Sequence, residues 1–221
     1  MREKLTIRHF KLTPYETSWR AMQTFTEQRL PTTPDELWIL EHPPVFTQGL
    51  AGKPEHVLQT THIPVIKTDR GGQVTYHGPG QLIIYVLLDL HRLKLSIRTL
   101  ICTLERAVID MLNDFGIHGH TIPHAPGVYV NHAKICSLGL RIRRGYSYHG
   151  LSFNVAMDLT PFSYINPCGY KDLKILQFSD LIGATAISKA APALILHLTK
   201  HLGYTDILHT KSNLHTEGLF A

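Results

Sequence analysis

The chain has 221 residues, 43% of them hydrophobic, enough to bury one core, and the default organisation is a single domain spanning 1–221. A net charge of +5 without a dense basic stripe argues against a nucleic-acid binder and suits either an acidic protein partner or none. The longest apolar run, Leu82 to Leu88, is too short to cross a bilayer and the first residues lack an apolar signal core, so the expectation is a soluble cytoplasmic protein without membrane association.

In chain order, Leu5 to Phe10 alternates weakly and is expected as an edge strand, and Tyr15 to Leu30 as an amphipathic helix closed by Pro31 and Pro34. Glu36 to Glu41 is a strand around Trp38. The two prolines of His42 to Gly49 remove ladder donors, so this stretch is read as a rigid loop beside a pocket. Ile63 to Thr68 is a short strand. It leads into Arg70-Gly71-Gly72-Gln73-Val74-Thr75-Tyr76-His77-Gly78-Pro79-Gly80-Gln81, whose tandem glycines permit close backbone approach to a ligand and whose Gly-Pro-Gly forces a reversal. We read this segment as the floor of a substrate pocket.

From Ser96 the period changes to helical, with Ile97, Leu100, Ile101, Leu104, Val108, Met111 and Leu112 in register, Ser96 as N-cap and Gly116 as stop. Cys102 lies off that stripe as a small packing residue. Gly127 to Val130 and Lys134 to Ile142 form a hairpin through Asn131-His132, and Arg143-Arg144-Gly145 reverses the chain into the strand Tyr146 to Met157. A last helix, capped by Ser188, faces inward through Leu194, Ile195, Leu198 and Leu202, and the tail from Tyr204 is expected to be loosely ordered. Few helices among many hairpin-linked strands predict an α+β fold on a mainly antiparallel or mixed sheet.

Cys102, Cys136 and Cys168 form neither a metal-type pair nor an even disulfide framework, which favours a reducing compartment. Fifteen histidines are unusual, yet His118, His120 and His124 lack helical spacing and supporting carboxylates, so no metal is assigned. Cys168, in Asn166-Pro167-Cys168-Gly169-Tyr170, sits in a turn where a thiol can be approached; packing is the competing reading. Strict alternation puts Lys134 on the apolar face of Cys136, Leu138, Leu140 and Ile142. There it either snorkels to water or is desolvated with a lowered pKa, able to stabilise a thiolate and then take a proton. Ser137, Gly139, Gly150, Ser152 and Asn154 supply small residues against which a ligand or a helix can lie. His77 and His149 are read as hydrogen-bonded pocket or core residues rather than acid/base groups. Arg141, Arg143 and Arg144 form a basic tip, either solvated or an acidic partner's contact.

The ordered set of Glu41 to Phe46, Arg70 to Gln81, Gly127 to Val130, Lys134 to Gly139, His149 to Asn154 and Asn166 to Tyr170 closely resembles the lipoyl(octanoyl) transferases of lipoate biosynthesis. The resemblance covers roughly residues 35–180. It implies the fold of lipoate and biotin protein ligases, a large mixed sheet with a smaller one and flanking helices. It further implies octanoyl transfer from octanoyl-acyl carrier protein to a lysine of apo lipoyl domains, those of 2-oxoacid dehydrogenase complexes and the glycine cleavage H protein. Cys168 would carry the acyl group and Lys134 would tune it as general acid/base. Arg70, Gly71, Gly72, Gln73, Val74, Thr75, Tyr76, His77, Ser137, Leu138, Gly139, Gly150, Leu151 and Ser152 would line the acyl pocket, with no cofactor and no metal. Cys136 departs from the small residue expected there and threatens to complicate thiol labelling. The rivals are an ATP-dependent ligase of the same fold, which needs no nucleophilic cysteine, and a non-catalytic acyl or lipoyl-domain binding module.

Overall fold

The computed structural model describes residues 4–59, 61–183 and 187–211. The elements run β1 (Leu5–Leu12), α1 (Tyr15–Gln28), β2 (Asp35–Glu41), β3 (Val45–Gln48), β4 (Val65–Lys67), β5 (Val74–His77), β6 (Gln81–Leu87), α2 (Leu90–Leu93) and α3 (Ile97–Asp114). There follow β7 (His120–Ile122), β8 (Ala125–Val130), β9 (Ala133–Arg143), β10 (Tyr146–Asn154), α4 (Ser179–Ile182), α5 (Ile187–Leu202) and β11 (Ile207–Lys211).

An eight-stranded sheet has the order β11-β1-β2-β6-β10-β9-β8-β7, and a three-stranded sheet the order β4-β3-β5. In the large sheet β1 runs parallel to both neighbours and the β2-β6-β10-β9 series is antiparallel, so the sheet is mixed as expected. Strand parity sorts β6 between two cores. Leu82, Ile84 and Val86 join the cluster under α3 and α5, while Ile83, Tyr85 and Leu87 join Met22 and Phe25 of α1 on the other face. An uninterrupted apolar run is what a strand covered on both faces requires.

α3 begins where the Ser96 hydroxyl accepts the Thr99 N–H at 3.0 Å and ends at Gly116, φ +71°. Its Leu100, Leu104, Val108, Met111 and Leu112 are all fully buried. At about 1.5–3 kcal/mol for each buried large apolar side chain, this stripe outweighs the few tenths that Ile, Thr and Val each cost in helix propensity. Cys102 is not a packing residue but exposed on this helix.

Several expectations are corrected by long-range pairing. β1 is interior because the described part of the tail expected to be loose, residues 204–211, returns as β11 and pairs with it from Leu5↔Ile207 to His9↔Lys211; residues 212–221 lie outside the described residues. Tyr204 is buried, its hydroxyl donating to Asp35, whose carboxylate also takes Arg29 at 2.6 Å and Arg92 at 2.8 Å. The stretch His42 to Gly49 is not all loop. Pro43 and Pro44 end before Val45, and β3 is the central strand of the small sheet. The loop around His118, His120 and His124 contains the edge strand β7. Ser188 lies within α5 rather than ahead of it.

Candidate active site

β9 does not alternate strictly. Val128 pairs with Cys136 but Tyr129 pairs with Lys134, which makes Ile135 an extra residue in the strand. Ile135 and Cys136 both enter the main core, and Lys134 is turned to the pocket face shared by Ser137 and Gly139. The bulge thus overturns the placement of Lys134 beside Cys136, and it re-aims one charged side chain at a site.

Lys134 is 2% exposed, so it does not snorkel. Its Nζ donates to the Pro126 carbonyl at 2.9 Å and to Cys168 Sγ at 3.2 Å, and lies 5.2 Å from the centre of the Tyr129 ring. Gly127 makes room for it. A Cβ there would stand 2.6 Å from Lys134 Cε and 2.5 Å from the Cys136 carbonyl oxygen, in a backbone with φ +137°. Burial pushes the lysine toward its neutral form, but its electrostatic and hydrogen-bond coupling to Cys168, and less so to Tyr129, outweighs burial and raises the pKa. The expected lowering therefore does not describe the resting site, where Lys134 is an ammonium.

Cys168 occupies the turn Pro167–Gly169 with φ +56°, a left-handed conformation costing a non-glycine residue roughly 1 kcal/mol. The turn is pinned from outside where Asn166 N–H donates to the His56 carbonyl at 2.8 Å, and closed from within where Gly169 N–H donates to the Asn166 carbonyl at 2.9 Å. Downstream the chain returns to β9. Lys134 N–H donates to Lys174 O at 2.8 Å and Leu176 N–H to Lys134 O at 3.0 Å, so backbone bonds hold the lysine against the cysteine's own loop.

Arg70 is buried, and among the described residues its guanidinium donates to neutral oxygens: Thr47 hydroxyl and carbonyl, Gly71 O and Gln73 O. Burial lowers its pKa, and its charge couples favourably to Cys168. Behind it runs a directed relay. Thr47 Oγ1 lies 3.1 Å from His77 Nε2, His77 Nδ1 2.7 Å from Gln81 Oε1, Gln81 donates to Asn154 at 2.9 Å, and Asn154 to Leu176 O at 3.0 Å. Because Gln81 Oε1 only accepts, the His77 proton is assigned to Nδ1 and the ring is neutral. The relay ends on the residue whose N–H holds Lys134, so the arginine and the lysine share one scaffold.

These groups meet in a cavity of about 400 Å³, within the range of small-molecule sites. Its walls include Arg70 to Gln73, Ser137 to Leu140 and His149 to Ser152, with Lys134 and Cys168 among the lining residues.

Over residues 14–198 the sequence matches the lipoyl protein ligase A/B catalytic domain family. It is 58% identical over 196 residues to an octanoyltransferase of Chromobacterium violaceum, covering 89% of this chain and 95% of that one. A Coxiella burnetii octanoyltransferase is also 58% identical, over 88% of this chain and 81% of its own. The chain belongs to the octanoyltransferases of this family. At the level of fold it is similar to a putative lipoate protein ligase of T. acidophilum, with a TM-score of 0.74 at 18% identity, over 96% of this chain and 89% of that one.

Two residues assigned to the octanoyltransferase pocket do not reach it. Val74 and Tyr76 alternate away from Thr75 and His77 and pack with Phe46, Met157 and Phe162 in the core of the small sheet. In their place the cavity takes walls that the sequence reading assigns to the core or leaves unassigned: Tyr15 from α1, Ile83 and Tyr85 from β6, Ile97 and Ile101 from α3, and Leu140 from β9. Ile97 and Ile101 share the stripe of Leu100 and Leu104, but in the first turns of α3 that stripe borders the cavity instead of the core, leaving Ile97 exposed and Ile101 half-buried. Beside Tyr15 and Tyr85, three imidazoles are kept neutral by burial: His42 with its pKa lowered to about 4, His77 well below the ordinary value, and His149 also lowered. His149 Nε2–H donates to Asp69 at 2.8 Å. That bond and those from Tyr148 and Trp19 outweigh burial and hold the Asp69 carboxyl well below the usual range.

Proposed function

We propose that this octanoyltransferase works through an acyl-enzyme on Cys168, taking the octanoyl group from acyl carrier protein and passing it to a lysine of a lipoyl domain. The observation that carries the reading is the 3.2 Å hydrogen bond from Lys134 Nζ to Cys168 Sγ at an otherwise mostly apolar cavity. An ammonium at that distance, with the Arg70 charge behind it, favours negative charge on sulfur, and the thiolate is the nucleophile.

In the first half-reaction the Cys168 thiolate attacks the donor thioester carbonyl. A carbon–sulfur bond to the enzyme forms, the bond to the carrier's pantetheine sulfur breaks, and Lys134 gives that sulfur its proton. The charge pair is now gone. The influence that raised the Lys134 pKa was chiefly the charge on Cys168, whereas burial persists and favours the neutral amine. Lys134 is therefore a base when the acceptor lysine arrives. In the second half-reaction the acceptor amine attacks the acyl-enzyme, Lys134 accepts its proton, the amide forms and the Cys168 thiolate leaves, restoring the ion pair. Exchange of one thioester for another is nearly balanced and amide formation is downhill, so no ATP is consumed.

Arg70, Gly71, Gly72, Gln73, Thr75, His77, Ser137, Leu138, Gly139, Gly150, Leu151 and Ser152 are proposed as the acyl-binding wall, with 2-oxoacid dehydrogenase and H-protein lipoyl domains as acceptors. The net charge of +5 suits encounter with an acidic carrier. The test is incubation with octanoyl carrier protein in the absence of ATP, followed by intact-mass and peptide analysis. An octanoyl adduct on Cys168, absent from a folded Cys168→Ser variant that has lost turnover, is expected. Turnover retained by that variant, or no adduct on active enzyme, overturns the nucleophile assignment; strict dependence on ATP favours the ligase reading.

A further inference from the structure

Away from the cavity, α3 and α5 face each other through four titratable side chains. Asp110 and Asp114 stand one turn apart on α3, and His197 and His201 one turn apart on α5. His201 Nε2 lies 2.6 Å from Asp110 and His197 Nε2 2.6 Å from Asp114. Donor atoms of Asp110, His197 and His201 all lie within 4.8 Å of one another. His197 is 9% exposed, and its Nδ1 is buried with no hydrogen-bond partner.

We infer that Asp110, His197 and His201 form a binding site for a divalent transition ion of the zinc class, with Asp114 as the supporting carboxylate. Two histidines at i, i+4 on one helix present both imidazoles on the same face, the arrangement helical zinc sites use. Imidazole and carboxylate suit zinc, and the preference is for tetrahedral coordination. Bonds of about 2.0–2.1 Å put tetrahedral ligands roughly 3.4 Å apart, so donor atoms now up to 4.8 Å apart close by at most about 1.4 Å, while Asp110 and His201, now 2.6 Å apart, open by under 1 Å. Side-chain torsions supply that movement, because the Asp110 and His201 side chains are 39% and 21% exposed. The same exposure gives an ion a way in. Asp114 on His197 Nε2 is the carboxylate–histidine pairing that fixes a ligand's tautomer: in the neutral ring the proton stays on Nε2 and Nδ1 keeps a free lone pair. An ion held there would brace α3, whose first turns place Ile97 and Ile101 in the cavity wall, without touching Lys134 or Cys168.

The test titrates the tag-free full chain with zinc chloride by calorimetry and by thermal melting, and repeats the binding with cobalt. One equivalent is expected to bind at micromolar affinity or tighter, with Tm rising by about 5–10 °C at a hundredfold excess over Kd. Cobalt is expected to give tetrahedral visible bands without sulfur charge transfer. His201→Gln and Asp110→Asn, both on partly exposed side chains, are expected to weaken binding tenfold or more while melting near the parent temperature without zinc and keeping parental octanoyl transfer. Absence of a zinc-dependent shift in the parent leaves the four residues as two interhelical histidine–aspartate pairs and overturns the site. So does an undiminished shift in both variants, or a cobalt spectrum with sulfur ligation, since either puts the ion elsewhere.

Discussion

Replacing Gly127 by alanine tests whether the reach of Lys134 is set by the strand beside it. The new Cβ would lie 2.6 Å from Lys134 Cε and 2.5 Å from the Cys136 carbonyl, in a backbone at φ +137°. The conformation costs about 1–3 kcal/mol and the overlap a similar amount, roughly 2–4 kcal/mol together when the strand relaxes. For a chain of this size that lowers Tm by about 5–15 °C. Lys134 must also retreat. In the proposed thiolate state the attraction at 3.2 Å is about 5 kcal/mol with an effective dielectric constant near 20, and a withdrawal of roughly 1 Å removes about 1 kcal/mol of it, close to tenfold in rate. The assay is the rate of octanoyl adduct formation on Cys168 by rapid-quench mass spectrometry, alongside a melt. Gly116→Ala is the control, since φ there is +71° but nothing lies within 4 Å of the added carbon. It is expected to lose about 1 kcal/mol of stability and no acylation rate. If Gly127→Ala melts within about a degree of the parent and acylates as fast, the claim that Gly127 seats the lysine is wrong.

The buried imidazoles predict an acid limb in stability. His42 titrates near pH 4 folded and near 6.5 unfolded, so the unfolded chain binds the extra proton between these values. Stability is complete above pH 6.5 and falls by about 3 kcal/mol on the way to pH 4, with His77 and His149 adding in the same direction. Urea midpoints measured across that range should drop steadily toward acid; a flat profile contradicts a neutral buried His42. Thiol chemistry gives a further check. Cys136 is buried and its pKa is pushed up by burial, so a maleimide reagent should modify Cys102 and Cys168 and spare Cys136 until the protein is denatured. Native labelling at Cys136 would place it outside the core, where it could interfere as first feared.

What could be read from the chain alone was governed by local physics. Ser96 and Gly116 bracket α3, Asn131-His132 and Arg144-Gly145 make the hairpins, and of the glycines in Arg70 to Gln81 the tandem pair Gly71-Gly72 sits at the cavity. The octanoyltransferase family was legible in the Lys134 to Gly139 and Asn166 to Tyr170 segments, each a short uninterrupted signature. The misreadings share another cause. Parity failed at Lys134 because a bulge depends on the partner strand, which β9 does not announce. β1 reads as an edge strand because its second neighbour lies some 200 residues away, and β3 is hidden because Pro43 and Pro44 stand immediately before it. Tyr15, Ile97 and Ile101 reach the cavity only once three remote elements are packed together. Val74 and Tyr76 belong to a motif whose alternate residues face another core.

The pairing of Leu5 with Ile207 spans 202 positions (207 minus 5), and that separation has a meaning for biosynthesis. At about 5–20 residues per second, a ribosome delivers the first of these residues roughly 10–40 s before the second. Throughout that interval β1 has β2 on one side only, and its other row of N–H and C=O groups stays open to any neighbouring nascent chain. Asp35 meanwhile lacks the Tyr204 hydroxyl. The late arrival of β11 thus covers the open side of β1 and moves that edge of the large sheet outward to a short five-residue strand, so slow or crowded translation prolongs the interval in which newly made copies can join through β1.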